Sequence, residues 1–433
     1  MIKFKHNDKT MYQSKSYEIT STDDIELGIK RKSKLEFKVS FDDTKPMKAL
    51  FVFINGIRNE DYAGYEEHLA EFAVKEFEVA VLRVDYHCIG FRPQTGATFY
   101  MDKKDKENFA HQVKKLEKVC RTSIGLPEDF FSDEIIGQEK SYENFNSLNN
   151  IIQVLKNQGR ANPKAKIPLS ISLQPTKDEY NNFGIMQALD IINAIYFVRK
   201  NSAKFKLAKT PKTLLFGTSH GGYLGFLCAK FAPWLIDAVV ENSGYVVVPL
   251  HFYSVGKDID FVQFREVEGN VSENIALCIF TKTHFTTNAN SPNFLCKARL
   301  DIRNPLNESQ LKTQVKHQNK PIFVSYHSVR DGIDSAQNKE KFFEILQNSG
   351  FEASLRVVKD ESEIDGKFIK NLEHGMGMSM KSLIKKELPP LLAMHFTHEK
   401  DEKREIAYKS ENLEYKFKEK ARGGGIELFI RKI

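Results

Sequence analysis

Short apolar runs recur along the chain between amphipathic stretches, and their spacing predicts alternating strands and helices. Across 33–41 (SKLEFKVSF), Leu35, Phe37, Val39 and Phe41 fall on one face, the period of a half-buried strand at an antiparallel edge. Residues 49–54 (ALFVFI) are continuously apolar and end in Asn55-Gly56, as expected of a strand covered on both faces of a parallel sheet. Tyr65, Leu69, Phe72 and Ala73 follow at helical spacing, and 79–84 (VAVLRV) is the next buried strand. The rhythm resumes later with a helix over 183–199, strand 212–217 (KTLLFG), a helix from 220, strand 237–242 (DAVVEN), strand 321–327 (PIFVSYH), a helix over 337–347 and strand 351–358. Strands alternating with helices predict the α/β class, with a mostly parallel central sheet flanked by helices.

Two stretches break the pattern. Residues from about 100 to 180 open on a charge run and pass through a polar, irregular segment, NQGRANPKAKIPLSISLQPTKDEYNN. Residues 247–319 look equally irregular. Long loops of this kind are uncommon unless functional, so both read as lid or cap insertions. A helix over about 377–388 is expected to stop at Pro389-Pro390, because proline removes a donor and clashes with the preceding turn. The tail carries three alternating segments, the last two separated by Gly423-Gly424-Gly425, and reads as a small antiparallel appendage. The divisions are therefore 1–48 for N-terminal antiparallel strands of the core sheet, 49–390 for the core, and 391–433 for the appendage.

Composition narrows the partners. In 433 residues, 64 Lys and Arg stand against 57 Asp and Glu, giving +7. That charge is mild and spread along the chain, which does not favour nucleic acid as a partner. No apolar run reaches the length of a membrane span. The N-terminus lacks the apolar region of a signal peptide, so a cytoplasmic protein is expected. Five cysteines (Cys88, Cys120, Cys228, Cys278, Cys296) form no C-x-x-C pair, so neither a zinc site nor a disulfide framework is expected. The reading calls for no metal and no cofactor.

The chemistry concentrates at Gly217-Thr218-Ser219-His220-Gly221-Gly222, where an apolar strand runs into an apolar helix. G-x-S-x-G in that setting is a tight bend. Small residues two before and two after the serine avoid clashes, and helix-end N–H groups favour the negative charge of acyl transfer. Ser219 is the candidate nucleophile; the bland alternative is a glycine-rich turn. A serine hydroxyl needs a base and the base an orienting acid. Strand 321–327 runs into Ser328-Val329-Arg330-Asp331-Gly332-Ile333-Asp334. Asp331 is the first candidate acid and Asp334 the alternative, although Asp334 is also placed to cap the helix near 336. His374, in the glycine-flanked loop Leu372-Glu373-His374-Gly375-Met376, is the candidate base. His395 and His398 lie beyond the double proline in a polar segment. Backbone N–H groups of Ile57 and His220 are expected to form the oxyanion hole, and Arg58 could reach an anionic substrate. Asp85 and Trp234 read as structural.

These features together resemble the α/β-hydrolase superfamily over roughly residues 49–390. Its marks are NGI after an early strand, GTSHGG at the bend, HSVRD after a late strand, and the loop LEHGM. The dipeptidyl-peptidase and acyl-ester hydrolase branches are nearest in pattern. Asn55 stands where the family's histidine precedes glycine, and Ser328 replaces the glycine of H-G-x-x-D. The whole chain also resembles a family found in flagellin-glycosylation loci of Campylobacter and its relatives. The resemblances imply a serine esterase or deacylase acting on a small acylated substrate, with an acylated, anionic nonulosonic sugar of a flagellar glycan or its precursor as the natural candidate. Flagellin or glycosylation enzymes are then the implied partners. An acyltransferase using the same triad, and a non-catalytic binding protein of the same locus, are the alternatives.

Overall fold

The computed structural model describes residues 12–56, 63–88, 97–124, 139–317, 319–396 and 404–433. Its strands are β1 Tyr12–Ile19, β2 Leu35–Asp42, β3 Leu50–Ile54, β4 Ala80–Asp85, β5 Thr98–Tyr100, β6 Ile167–Gln174, β7 Thr213–Thr218, β8 Ala238–Asn242, β9 Val267–Ser272, β10 Ile275–Thr281, β11 Ile322–Ser328, β12 Ala353–Val358, β13 Glu405–Ser410, β14 Leu413–Glu419 and β15 Ile426–Lys432. Its helices are α1 Ala63–Phe77, α2 Lys103–Cys120, α3 Glu139–Asn157, α4 Ile185–Lys200, α5 His220–Phe231, α6 Lys297–Arg303, α7 Glu308–Gln314, α8 Ala336–Asn348 and α9 Met380–Ala393. None of the helices so described is long and apolar enough to cross a membrane.

The chain divides into two compact units, one of residues 1–87, 184–248 and 296–433, the other of 88–183 and 249–295. The first is built on an eight-stranded sheet of order β1-β2-β4-β3-β7-β8-β11-β12. β2 runs antiparallel to both its neighbours, and every pair from β4 to β12 is parallel. Alternation decides the two faces. Phe51, Phe53, Val81, Leu214, Phe216, Ala238 and Val240 pack with Leu69 and Ala73 of α1 and Leu383, Ile384, Leu388 and Leu391 of α9. The intervening side chains face α5 and α8. A Cβ on Gly225 of α5 would meet Val239 at 3.0 Å, and Phe323 of β11 lies edge-on to Phe342 of α8. Close approach of a helix to the sheet is what that glycine provides. The C-terminal strands form a three-stranded antiparallel sheet, and Phe417 of β14 stacks on Phe231 at the end of α5, centroids 4.1 Å apart.

Helix α9 does not stop at Pro389-Pro390; both prolines lie inside it. Each lacks an N–H, yet the turn carries Leu388 and Leu391 into the core, and that burial outweighs the lost backbone bonds. Trp234 is buried, as the sequence suggests.

The second unit corrects the reading of the two interruptions as irregular. They combine in a sheet of order β5-β6-β10-β9, with β6 from the first stretch parallel to β10 from the second. Ile167, Leu169, Ile171, Ile275 and Leu277 meet Phe145, Leu148 and Ile152 of α3 in its core. Residues 296–317 of the second stretch, including α6 and α7, belong to the first unit. Asp102 and Asp105 share Lys257, with Ser172 donating to Asp105 at 2.6 Å and Lys257 donating to Ser172 at 2.6 Å.

Candidate active site

The bend between β7 and α5 is sterically closed. Ser219 holds φ 53° and ψ −122°, in positive-φ space that costs a non-glycine residue energy and persists only where its surroundings impose it. A Cβ on Gly217 would lie 2.3 Å from Gly221 C, and one on Gly221 would lie 2.1 Å from the Ile54 carbonyl oxygen. Neither position accepts any side chain. The Ser219 N–H donates to the Asn242 carbonyl at 2.8 Å, tying the bend to the end of the neighbouring strand.

Three side chains from separate loops meet above this end of the sheet. His374 Nε2 lies 2.8 Å from Ser219 Oγ, and His374 Nδ1 lies 3.0 and 2.8 Å from the two Asp331 oxygens. Asp331 is buried while the imidazole is 28% exposed. Burial alone would push the Asp331 carboxyl up. The His374 hydrogen bond and its charge, with the Ile333 N–H at 2.9 Å, outweigh it and hold the group below the usual carboxylate range. An ionised acid fixes the proton on Nδ1, which leaves Nε2 able to take the serine proton.

Asp334 has a different task. It accepts the N–H groups of Val246 at 2.6 Å and Val247 at 3.3 Å, and the side chain of Asn338 at 2.8 Å. The cap expected of it at helix α8 falls instead to Ser335, whose hydroxyl accepts from Asn338 N at 3.2 Å. An aspartate next to Val246–Val247 finds two converging amides, and these outcompete the single helix-end donor. His395 follows α9, and His398 lies outside the described residues.

His220 contributes its position, at the first turn of α5. Its ring is buried, with Nδ1 bonded to the Tyr245 hydroxyl and Nε2 at 2.9 Å from Gln187 Oε1. Burial pushes its pKa down to about 3, so the ring is a neutral tether for the start of the helix. Of the residues after β3, Asn55 and Gly56 are described, and Tyr86 donates to the Asn55 carbonyl at 2.9 Å. Ile57 and Arg58 lie outside the described residues.

The clamp on the histidine loop has little signature in the hydrophobic pattern. Asn242 donates to the Gly375 carbonyl at 2.8 Å, and the Gly375 N–H donates to Ser243 Oγ at 3.0 Å. Below that turn, buried Glu241 pairs with buried Lys339 at 3.0 Å and accepts from the Gly244 N–H at 2.5 Å. The one available signal was polar Glu241-Asn242-Ser243 closing an otherwise apolar strand. Among the described residues, no cluster of His, Cys, Asp or Glu is arranged to hold a metal ion.

A family model described as a protein of unknown function, DUF2920, matches residues 15–427. The chain belongs to that family. No curated protein matches this DUF2920 chain. Similar solved structures include esterase Est22, at 10% identity and TM-score 0.40 over 80% of this chain and 71% of that one. Carboxyl esterase 2 of the mycorrhizal fungus Tuber melanosporum has 12% identity and TM-score 0.39 over 88% and 82%. A putative dipeptidyl aminopeptidase IV of Bacteroides ovatus has 10% identity and TM-score 0.41 over 81% and 32%. The DUF2920 chain's own strand order, with one antiparallel strand near the edge and serine, aspartate and histidine following β7, β11 and β12 in that sequence, is the α/β-hydrolase architecture.

Proposed function

We propose that the protein is a serine hydrolase that cleaves an acyl ester through an acyl-enzyme. The observation that carries this reading is the 2.8 Å approach of His374 Nε2 to the hydroxyl of Ser219 at its strained bend. In the first half-reaction Ser219 Oγ adds to the ester carbonyl and its proton passes to His374 Nε2. The tetrahedral intermediate collapses, the C–O bond to the alcohol breaks, and His374 returns the proton to the departing oxygen. In the second half-reaction water adds to the acyl-serine, His374 takes its proton, and that proton returns to Ser219 as the acid leaves. Asp331 holds the imidazolium throughout. The N–H of His220, at the start of α5, is the inner oxyanion donor, and the loop after β3 is the assigned source of the second, with Ile57 as the residue.

For the alcohol or sugar that carries the acyl group we favour an acylated nonulosonic sugar, a choice supported by the flagellin-locus resemblance of the chain. The test is labelling of the folded protein with a fluorophosphonate, followed by mass mapping. Modification at Ser219, absent in Ser219→Ala, is expected; a labelled protein whose adduct maps to another serine removes the mechanism. Short-chain nitrophenyl esters and O-acetylated sialic acids then rank substrates by kcat/KM.

A further inference from the structure

A second concave site lies at the other end of the main sheet. Lys209 and Thr210 line it just before β7 begins, whereas Ser219 follows the end of that strand. The six residues of β7 put the two sites about 20 Å apart at roughly 3.3 Å per residue. The cavity holds about 510 Å³, within the range of small-ligand pockets. Its walls are the end of α4, the segment entering β7, the turn before β8 and the C-terminal sheet.

Charge sets its chemistry. Arg199, Lys200, Lys209, Arg404 and Arg422 line it against one carboxylate, Glu419. Glu419 is already engaged, by Arg404 at 3.0 and 2.9 Å and by the Tyr196 hydroxyl at 3.0 Å. The four other cations face no further carboxylate among the lining residues. Asp237, which is buried nearby and accepts the Thr213 N–H at 2.6 Å, offsets part of the charge of Arg199. Burial nonetheless pulls the Arg199 guanidinium below its ordinary range, and Arg404 adds to that pull. Arg422 sits at φ 60° in the turn before Gly423-Gly424-Gly425. Trp234 and Tyr196 give the cleft an aromatic wall, the indole N–H donating to the tyrosine hydroxyl at 2.7 Å.

We propose that this cleft binds a small ligand bearing a multiply charged phosphoryl group. Guanidinium forks and ammonium groups converging from separate elements match a tetrahedral oxyanion better than a single flat carboxylate. The proposal stands apart from the role of Ser219, since the site is remote from it.

Trp234 is the chain's one tryptophan, so its emission reports on this cleft directly. The full chain is titrated with inorganic pyrophosphate, with citrate and a short single-stranded oligonucleotide as parallel arms. Expected is a saturable change in Trp234 emission that weakens as salt rises, and affinity at least tenfold lower in Lys209→Glu/Arg422→Glu. Lys200→Gln/Lys209→Gln, a milder pair of exposed positions, is expected to weaken it several-fold with the unfolding midpoint unchanged. No saturable response, or one that both variants leave intact, overturns the site. Citrate binding as tightly as pyrophosphate overturns the phosphoryl assignment, and an oligonucleotide binding far more tightly overturns the small-ligand assignment.

Discussion

The central strands β3 and β7 of the large sheet and strand β6 of the smaller one bury polar groups in opposite places. In the eight-stranded sheet the central strands β3 and β7 are apolar through their middles, and the polar groups of the candidate site stand at or beyond the C-terminal strand ends: Ser219, Asn242, Ser243, Asp331 and His374. The four-stranded sheet instead places Ser170 and Ser172 within β6, both buried, with the Asp102, Asp105 and Lys257 cluster against Ser172. Groups at strand ends are carried by loops that can bring distant parts of the chain to one point. Groups in mid-strand are locked to one another by the ladder and serve cohesion. The first arrangement can do chemistry; the second holds a unit together.

The sharpest break of that contrast is Ser219→Ala. Turnover is expected to fall by about 10³–10⁶ with the unfolding midpoint nearly unchanged, measured by ester hydrolysis and thermal melting of the same preparation. Full activity in the variant would take the bend out of the chemistry. Next is the pair of aspartates in one loop. Asp331→Asn is expected to cost on the order of 10⁴ in kcat, by stabilising the wrong imidazole tautomer. Asp334→Asn is expected to cost less than tenfold in kcat but about 1–3 kcal/mol of stability, because an amide cannot accept from Val246, Val247 and Asn338 as the carboxylate does. Equal kinetic losses in the two variants would erase the division of labour.

Two stability tests follow. Gly221→Ala is expected to cost about 3 kcal/mol or more, since its Cβ would meet the Ile54 carbonyl at 2.1 Å. Lys257→Met in the smaller sheet removes the cation shared by Asp102 and Asp105; with Asp102 partly exposed, the expected cost is about 1–3 kcal/mol. Denaturant unfolding followed by hydrogen exchange should place the second loss in strands β6 and β10 and leave β3 and β7 protected. A uniform loss across both sheets would mean that the two do not differ in how polar burial supports them.

The same contrast explains what the sequence disclosed. Continuous apolar runs such as 49–54 and 212–217 announce parallel strands because both faces are covered. The bend at 217–222 is visible because sterics leave glycine as the only residue at 217 and 221. IPLSISLQ is different. Its serines belong to a buried polar cluster, so hydrophobicity alone reads it as irregular, and its parallel partner lies some hundred residues later in a second interruption. Asp331 and Asp334 were separable only in space, since the partners that distinguish them, His374 and the 246–247 backbone, come from other parts of the chain. The prolines of α9 misled for a related reason: a local rule was overridden by burial of Leu388 and Leu391.

Acid separates the two sheets with the smallest but most direct signal. Asp331 is held below the usual carboxylate range, so its contribution to stability is present above the unfolded value near 4 and is lost as pH falls through the lower folded one. Asp105 shifts the other way. Burial raises it, and the neighbouring Asp102 charge adds to that while Lys257 opposes it; one cation between two carboxylates favours leaving a proton on the more buried. Between the unfolded and folded values of Asp105 the native state binds more protons than the unfolded one, so stability from this group grows as pH falls through the folded value and levels off near 4. Melting curves of the parent, Asp331→Asn and Asp105→Asn between pH 7 and 3 test the signs. Asp105→Asn should remove a gain on mild acidification, and Asp331→Asn should remove a loss that begins only below pH 4. If both substitutions alter the profile in one direction, the two carboxylates share an environment and the contrast between the candidate site at the strand ends and a cohesive mid-strand cluster fails.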